Sequence, residues 1–264
     1  MWALRHPGEA AAVPFFHGWT EARLVAIACA IALVTAAADV LPPALTAMLG
    51  VAALHGGLLA AALVWSGIGV AEAAVAIVLL ALARMAAAIH PFGALAYLSV
   101  PAWLAWLATT GRLRRLGLGA PWPWGAVAIG ALAGIALALH LVACASRTLA
   151  YGVRVDAAVV LPALAYDVGA NVLSGELFFR GALLQHLWRR WTFGIALGGA
   201  ALAAAVRYCA DPFVASTELR VGAAVYMTLL ALMNGALYRW SGSLLPGLAS
   251  AGVFFACYRL LASG

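Results

Sequence analysis

Residues 174–191 read SGELFFRGALLQHLWRRW. The stretch sets a carboxylate, Glu176, and a guanidinium, Arg180, four residues apart in otherwise apolar sequence. At that spacing both lie on one face of a helix, and Glu before Arg is the favourable order for such a pair. Leu183, Leu184 and Leu187 carry an apolar stripe onward. Arg189, Arg190 and Trp191 then form an interfacial anchor. The predicted element is an apolar helix that ends at the cytoplasmic membrane surface.

The rest of the chain gives that helix its setting. Of 264 residues, 66% are hydrophobic and 9% charged, and the mean hydropathy is +1.03. A soluble domain carries roughly 25% charged residues. Composition therefore excludes a soluble globular domain, a disordered tail and a nucleic-acid-binding module. All 15 basic residues are Arg, a composition that fits codon bias and carries no functional reading. The net charge of +6 comes from arginines mostly at span ends, where they orient and snorkel. Cys29, Cys144, Cys209 and Cys257 lie in apolar stretches without paired spacing and read as small apolar residues.

The predicted fold is all-α, a polytopic transmembrane helix bundle. A span takes about 20 residues, which leaves room for roughly eight or nine with short loops. They are expected at 23–41, 47–66, 69–88, 92–110, 125–145, 157–173, 192–210, 221–239 and 244–262. The chain is divided into an interfacial N-terminal segment (1–22), N-terminal transmembrane helices (23–145) and a second transmembrane core (146–264). The clearest break is 111–124, GRLRRLGLGAPWPW, a basic loop with aromatic anchors. Set inside, it puts Arg5, Arg112, Arg114, Arg115, Arg189, Arg190 and Arg239 inside as well, and Arg84, Arg147, Arg154 and Arg220 outside.

Polar groups are sparse within the early spans, where Asp39, Glu72 and His140 are the exceptions. From residue 157 they gather at membrane depth: Asp167, Asn171, Glu176, Arg180, Arg207 and Asn234. Ionisable side chains there are costly unless paired or hydrated, so they mark a candidate site.

ELFFRGALLQHLWRR resembles the signature of the CAAX-protease and bacteriocin-processing family, membrane-embedded endopeptidases described as glutamic or metallo-proteases. YRWSGSLLPG, Tyr238–Gly247, resembles the family's aromatic-basic span end, Gly-Ser turn and Pro. The resemblance covers about 157–264 and implies a CAAX-protease-like core in the second half. The family pattern is Glu-Glu-x-x-x-Arg, then Phe-x-x-x-His, then His-x-x-x-Asn. Here the first Glu, implied to be the general base, is Gly175. The second motif falls on Ala204 and Tyr208, the third on Ala251 and Phe255. Glu176 and Arg180 are the retained positions, and no His follows His186.

Peptide hydrolysis needs an activated water and a stabilised oxyanion. An ion-paired Glu176 is a weaker base. A zinc site needs about three converging ligands, and the sequence has no His-Glu-x-x-His, so neither a metal nor another cofactor is expected. Asp167 and Asn171, four residues apart, either offer a substitute acid or make a packing contact between helices. Arg207, beside Tyr208, either joins Glu176 and Arg180 to bind an anionic group or snorkels outward toward Asp211. His140 and His186 are displaced ligands or packing residues. Asn234 reads as an interhelical hydrogen-bonding residue and Arg259 as a snorkelling anchor. The small-residue runs Gly130–Ala138 and Gly194–Ala205 allow close helix approach.

Three functions fit. A degenerate family member would bind a transmembrane or lipid-modified protein partner without cutting it. A divergent endopeptidase would use Glu176 as base, with Asp167, Arg207 or Tyr208 as auxiliaries. A structural subunit or transporter would reuse a similar bundle. All three imply an integral membrane protein in contact with lipid, with the bacterial cytoplasmic membrane as the expected residence.

Overall fold

The structure, a computed structural model, describes residues 40–119, 122–148, 151–153, 155–209 and 217–263. The expected segment 1–22 and nearly all of the expected span 23–41, with Cys29 and Asp39, lie outside the described residues, as does Asp211.

Eight apolar helices follow one another: α1 (Pro43–Trp65), α2 (Val70–Ile89), α3 (Pro91–Thr109), α4 (Trp124–Thr148), α5 (Ala157–Trp188), α6 (Phe193–Cys209), α7 (Thr217–Ser241) and α8 (Leu245–Tyr258). Prolines open α1, α3 and α8, where a missing N–H leaves no helical bond unmade. Asp156 caps α5 by accepting from the Ala158 amide at 3.0 Å. Gly111 and Gly117, at φ of +76° and +77°, supply the left-handed turns that end α3 and shape the basic loop.

Six of these helices are long and apolar enough to cross a membrane, while α6 and α8 are shorter. The expectation of eight or nine spans counted both short helices and the undescribed 23–41 stretch. Leu82, Leu132 and Leu202 are more than half exposed, at 54%, 64% and 65%. Side chains of this kind on most helices suit hydrocarbon rather than water. The architecture is that of a polytopic, lipid-associated integral membrane protein.

Three details differ from the sequence reading. The span expected at 157–173 does not stop there: α5 runs 32 residues to Trp188. At about 1.5 Å per residue such a helix outruns a ~30 Å hydrocarbon core. Every residue from Asn171 to Ala182 is buried, so the middle of α5 is enclosed by protein. Its winding is also not regular α. It widens to π turns at Asp167–Val172 and Glu176–Leu184, and α1 does so at Ala52–Gly56. Finally, the last helix ends at Tyr258, and Leu261–Ser263 (β2) pairs antiparallel with Tyr151–Val153 (β1). That three-residue ladder is the one departure from an all-helical fold among the described residues.

The chain forms two compact units. In one, Asp156–Phe178 packs with the helices before residue 120; in the other, Phe179–Gly264 packs with Pro121–Val155. The division falls inside α5, between Phe178 and Phe179. In the second unit, Gly130 and Gly134 let α4 lie directly on α8. A Cβ at either position would strike the Pro246 or the Ser250 carbonyl oxygen. The Gly130–Ala138 run thus acts as expected.

Candidate functional site

The first unit holds a cluster of polar side chains between apolar helices. His55, in the π turn of α1, is 1% exposed. Its Nδ1 hydrogen-bonds with Ser174 Oγ at 2.9 Å and its Nε2 with Tyr166 Oη at 2.7 Å. The Ser174 hydroxyl also donates to the Asn171 carbonyl at 3.3 Å, and Asn171 Nδ2 donates to Asp167 Oδ1 at 3.2 Å. Tyr97 of α3 stands edge-on to Tyr166, with ring centroids 5.3 Å apart. Gly169 fixes that approach, because a Cβ there would collide with the Tyr97 carbonyl oxygen. Tyr97 is 2% exposed, yet among the described residues its hydroxyl has no hydrogen-bond partner.

This arrangement depends on the two π turns. A π turn fits one more residue into each turn than α-helix does, and such bulges occur often at functional sites. One carries His55, and the other lies between Tyr166 and Ser174, the two residues that bond the imidazole.

Glu176 and Arg180, on which the family resemblance rests, are both buried, at 3% and 5% exposure. They are on one continuous helix but on opposite sides of the division between the units. Asp167 is fully buried, and its bond to Asn171 is a contact within one helix, not between two.

In the second unit Arg207 is partly exposed and its guanidinium lies 4.1 Å over the ring of its neighbour, Tyr208. Tyr208 in turn meets Phe255, with centroids 5.9 Å apart. Ala204 and Ala251, one turn away on the same helices, are buried. Asn234 makes the expected interhelical bond, donating to the Gly247 carbonyl at 3.2 Å. Gln185 of α5 donates to Tyr238 Oη at 2.5 Å, and Arg239 packs over Phe193 and Trp188 at 4.4 and 5.7 Å. Among the described residues, no three His, Cys, Asp or Glu side chains converge to hold a metal ion. The donor set therefore does not fit a metal of the kind a metalloprotease would use.

Sequence reading missed two features. No residue near His55 in sequence signals its partners, which lie 111 and 119 positions away. Cys144, expected as a small apolar residue, has its Sγ 3.8 Å from His140 Nδ1, one helical turn back. The i, i+4 spacing of those two residues was a usable signal. His140 itself bonds Tyr226 Oη at 2.8 Å, which ties α4 to α7.

Residues 157–255 match the family model for the Rce1-like type II CAAX prenyl endopeptidases. This segment, 99 of the 264 residues, is similar to that family. The match begins with α5 and ends at Phe255 in α8. It thus takes in Glu176, Arg180, Tyr208 and the Tyr208–Phe255 contact, and leaves out α1 and His55. No curated protein and no solved structure matches the chain.

Proposed function

We propose that this chain is an Rce1-like integral membrane protein that binds a transmembrane or lipid-modified protein partner and does not hydrolyse it by the family's glutamate–histidine route. The observation that carries the reading is the contact of the Tyr208 ring with the Phe255 ring, tilted by 32° with centroids 5.9 Å apart. The resemblance sets a histidine and an asparagine at these two positions, and two packed rings supply neither a ligand nor a base. Gly175 and Ala251 remove the first Glu and the other His. Glu176 and Arg180 are then binding residues, with Asp167, Arg207 and Tyr208 as auxiliaries. A partner's amide groups would meet the Glu176 carboxylate, and its anionic groups the Arg180 or Arg207 guanidinium, each through charge-assisted hydrogen bonds. The proposed residence is the bacterial cytoplasmic membrane.

Comparison of membrane-protein termini in cells carrying wild type, Glu176→Gln or no copy tests this. The expected result is identical termini in all three, with a partner that co-purifies with wild type and is lost with Glu176→Gln. New termini that appear only with wild type would show peptidase activity through Glu176 and overturn the reading.

A further inference from the structure

We propose that Ser174 and His55 form a nucleophile–base pair that accepts the acyl group of a carboxylic ester or thioester with an apolar chain. Tyr166 orients the imidazole and Tyr97 donates to the oxyanion. The proposal goes beyond partner binding and uses none of the residues assigned to it.

Four observations on three helices carry it. The nucleophile and base are in direct hydrogen-bond contact, at 2.9 Å. The other imidazole nitrogen is held by a third group, the Tyr166 hydroxyl, at 2.7 Å. This is the nucleophile–base–orienter geometry of activated hydroxyls. Both imidazole tautomers are satisfied in place. In one, Ser174 donates to Nδ1 and Nε2–H donates to Tyr166. In the other, Tyr166 donates to Nε2, Nδ1–H donates to Ser174, and Ser174 donates to the Asn171 carbonyl, 3.3 Å away. The ring can thus hold its proton on either nitrogen without stranding a partner. A simple helix–helix polar contact has no need of that. The fourth observation is the Tyr97 hydroxyl, buried beside Tyr166 with no hydrogen-bond partner among the described residues. A buried donor without an acceptor calls for an explanation, and a developing oxyanion is the acceptor this one lacks.

The reaction follows from the first tautomer. Ser174 Oγ bonds to the carbonyl carbon, the carbonyl electron pair moves onto oxygen, and Tyr97 donates to that oxygen. The Ser174 proton passes to His55 Nδ1. Collapse expels the alcohol or thiol, which leaves with the proton from Nδ1, and the acyl group stays on Ser174. Water then adds by the same route and releases the carboxylic acid and the free serine.

The orienting group also selects the substrate. The group at Nε2 is the phenol of Tyr166 rather than the carboxylate of a Ser-His-Asp triad, and a phenol stabilises a developing imidazolium less. The pair is therefore suited to leaving groups that depart readily, oxygen or sulfur rather than amide nitrogen. The surrounding apolar helices favour an acyl chain over a polar one.

The test uses the full-length protein in lipid nanodiscs and an alkyl fluorophosphonate, with the adduct located by mass spectrometry. A single adduct on Ser174 of wild type is expected, absent in Ser174→Ala. His55→Gln should slow labelling by at least ~100-fold, and Tyr97→Phe by about 100-fold. Tyr166 is a positioning residue: Tyr166→Phe should move the midpoint of the labelling pH profile while keeping the Ser174 adduct. The wild-type adduct needs no variant to fold. An unlabelled wild type that still unfolds cooperatively overturns the proposal. So does a Ser174→Ala protein labelled at the wild-type rate, or a Tyr97→Phe protein that loses no rate.

Discussion

His55 Nδ1 and Ser174 Oγ lie 2.9 Å apart, although 119 residues separate them in sequence. The bond joins α1, outside the Rce1-like match, to α5, which carries the retained Glu176 and Arg180. In an apolar, low-dielectric setting the hydrogen bonds from the imidazole to these hydroxyls are stronger than they would be in water. The first-half helix is therefore tied to the signature helix by chemistry as well as by packing.

That tie should be visible in stability. His55→Leu keeps the volume roughly but takes a partner from both Ser174 and Tyr166. The expected loss is about 1–3 kcal/mol, the usual cost of stranding buried polar groups. Ser174→Ala removes one bond along with its own hydroxyl and should cost less. Denaturant titration in detergent checks the order; a His55→Leu protein as stable as wild type would contradict it.

Glycines should divide sharply by position. Gly134→Ala puts a methyl group against the Ser250 carbonyl oxygen of α8, where only a backbone shift can make room. Overpacking of this kind costs roughly 1–3 kcal/mol. Gly194→Ala meets nothing within 4 Å and should be neutral or stabilising by about 0.4–1 kcal/mol. Thermal unfolding of the two variants side by side would read the difference, and equal midpoints would count against the close approach of α4 to α8.

The ion pair of Arg112 with Glu72, at 2.5 Å, should matter little. Glu72, expected within a span, occupies the first turn of α2, and both partners are partly exposed. Arg112→Gln should cost no more than about 1 kcal/mol, and less at high salt. A larger loss, insensitive to salt, would mean that the pair is shielded from solvent.

The Gln185–Tyr238 bond joins the end of α5 to the end of α7. Tyr238→Phe deletes the acceptor and keeps the ring, so the expected loss is about 0.5–1.5 kcal/mol. Gln185→Leu combined with Tyr238→Phe should lose less than the sum of the two single changes. A double-mutant cycle measures this directly, and strict additivity would show that the two side chains do not interact.

Much of the architecture was legible because it rests on transfer free energy, which is additive along the chain. Long apolar runs interrupted by Pro, Gly and Arg located most helices to within a few residues. The small-residue run at Gly130 and the polar Asn234 were also readable, since each has one common use between membrane helices. The site was legible only in part. Glu176 and Arg180 stood out as charges in an apolar helix. The π winding around them did not, because it depends on how neighbouring helices relieve or impose strain on α5. Nor did the 32-residue length of α5, whose polar middle looked like an end and turned out to be enclosed.

The sequence by itself determined that this is a polytopic membrane protein whose second half resembles the CAAX-protease family but lacks the first Glu, both His and the Asn of that family's pattern. Hydrophobicity and local motifs are properties of the residues themselves and need no partner to be read. Only the tertiary structure decided that His55 meets Ser174 and Tyr166, that Tyr97 stands edge-on to Tyr166, and that Tyr208 meets Phe255. Each is a contact between helices distant in sequence. Such contacts are set by which faces pack and in what rotation, and a π turn in α1 or α5 changes that rotation without leaving a mark in the sequence.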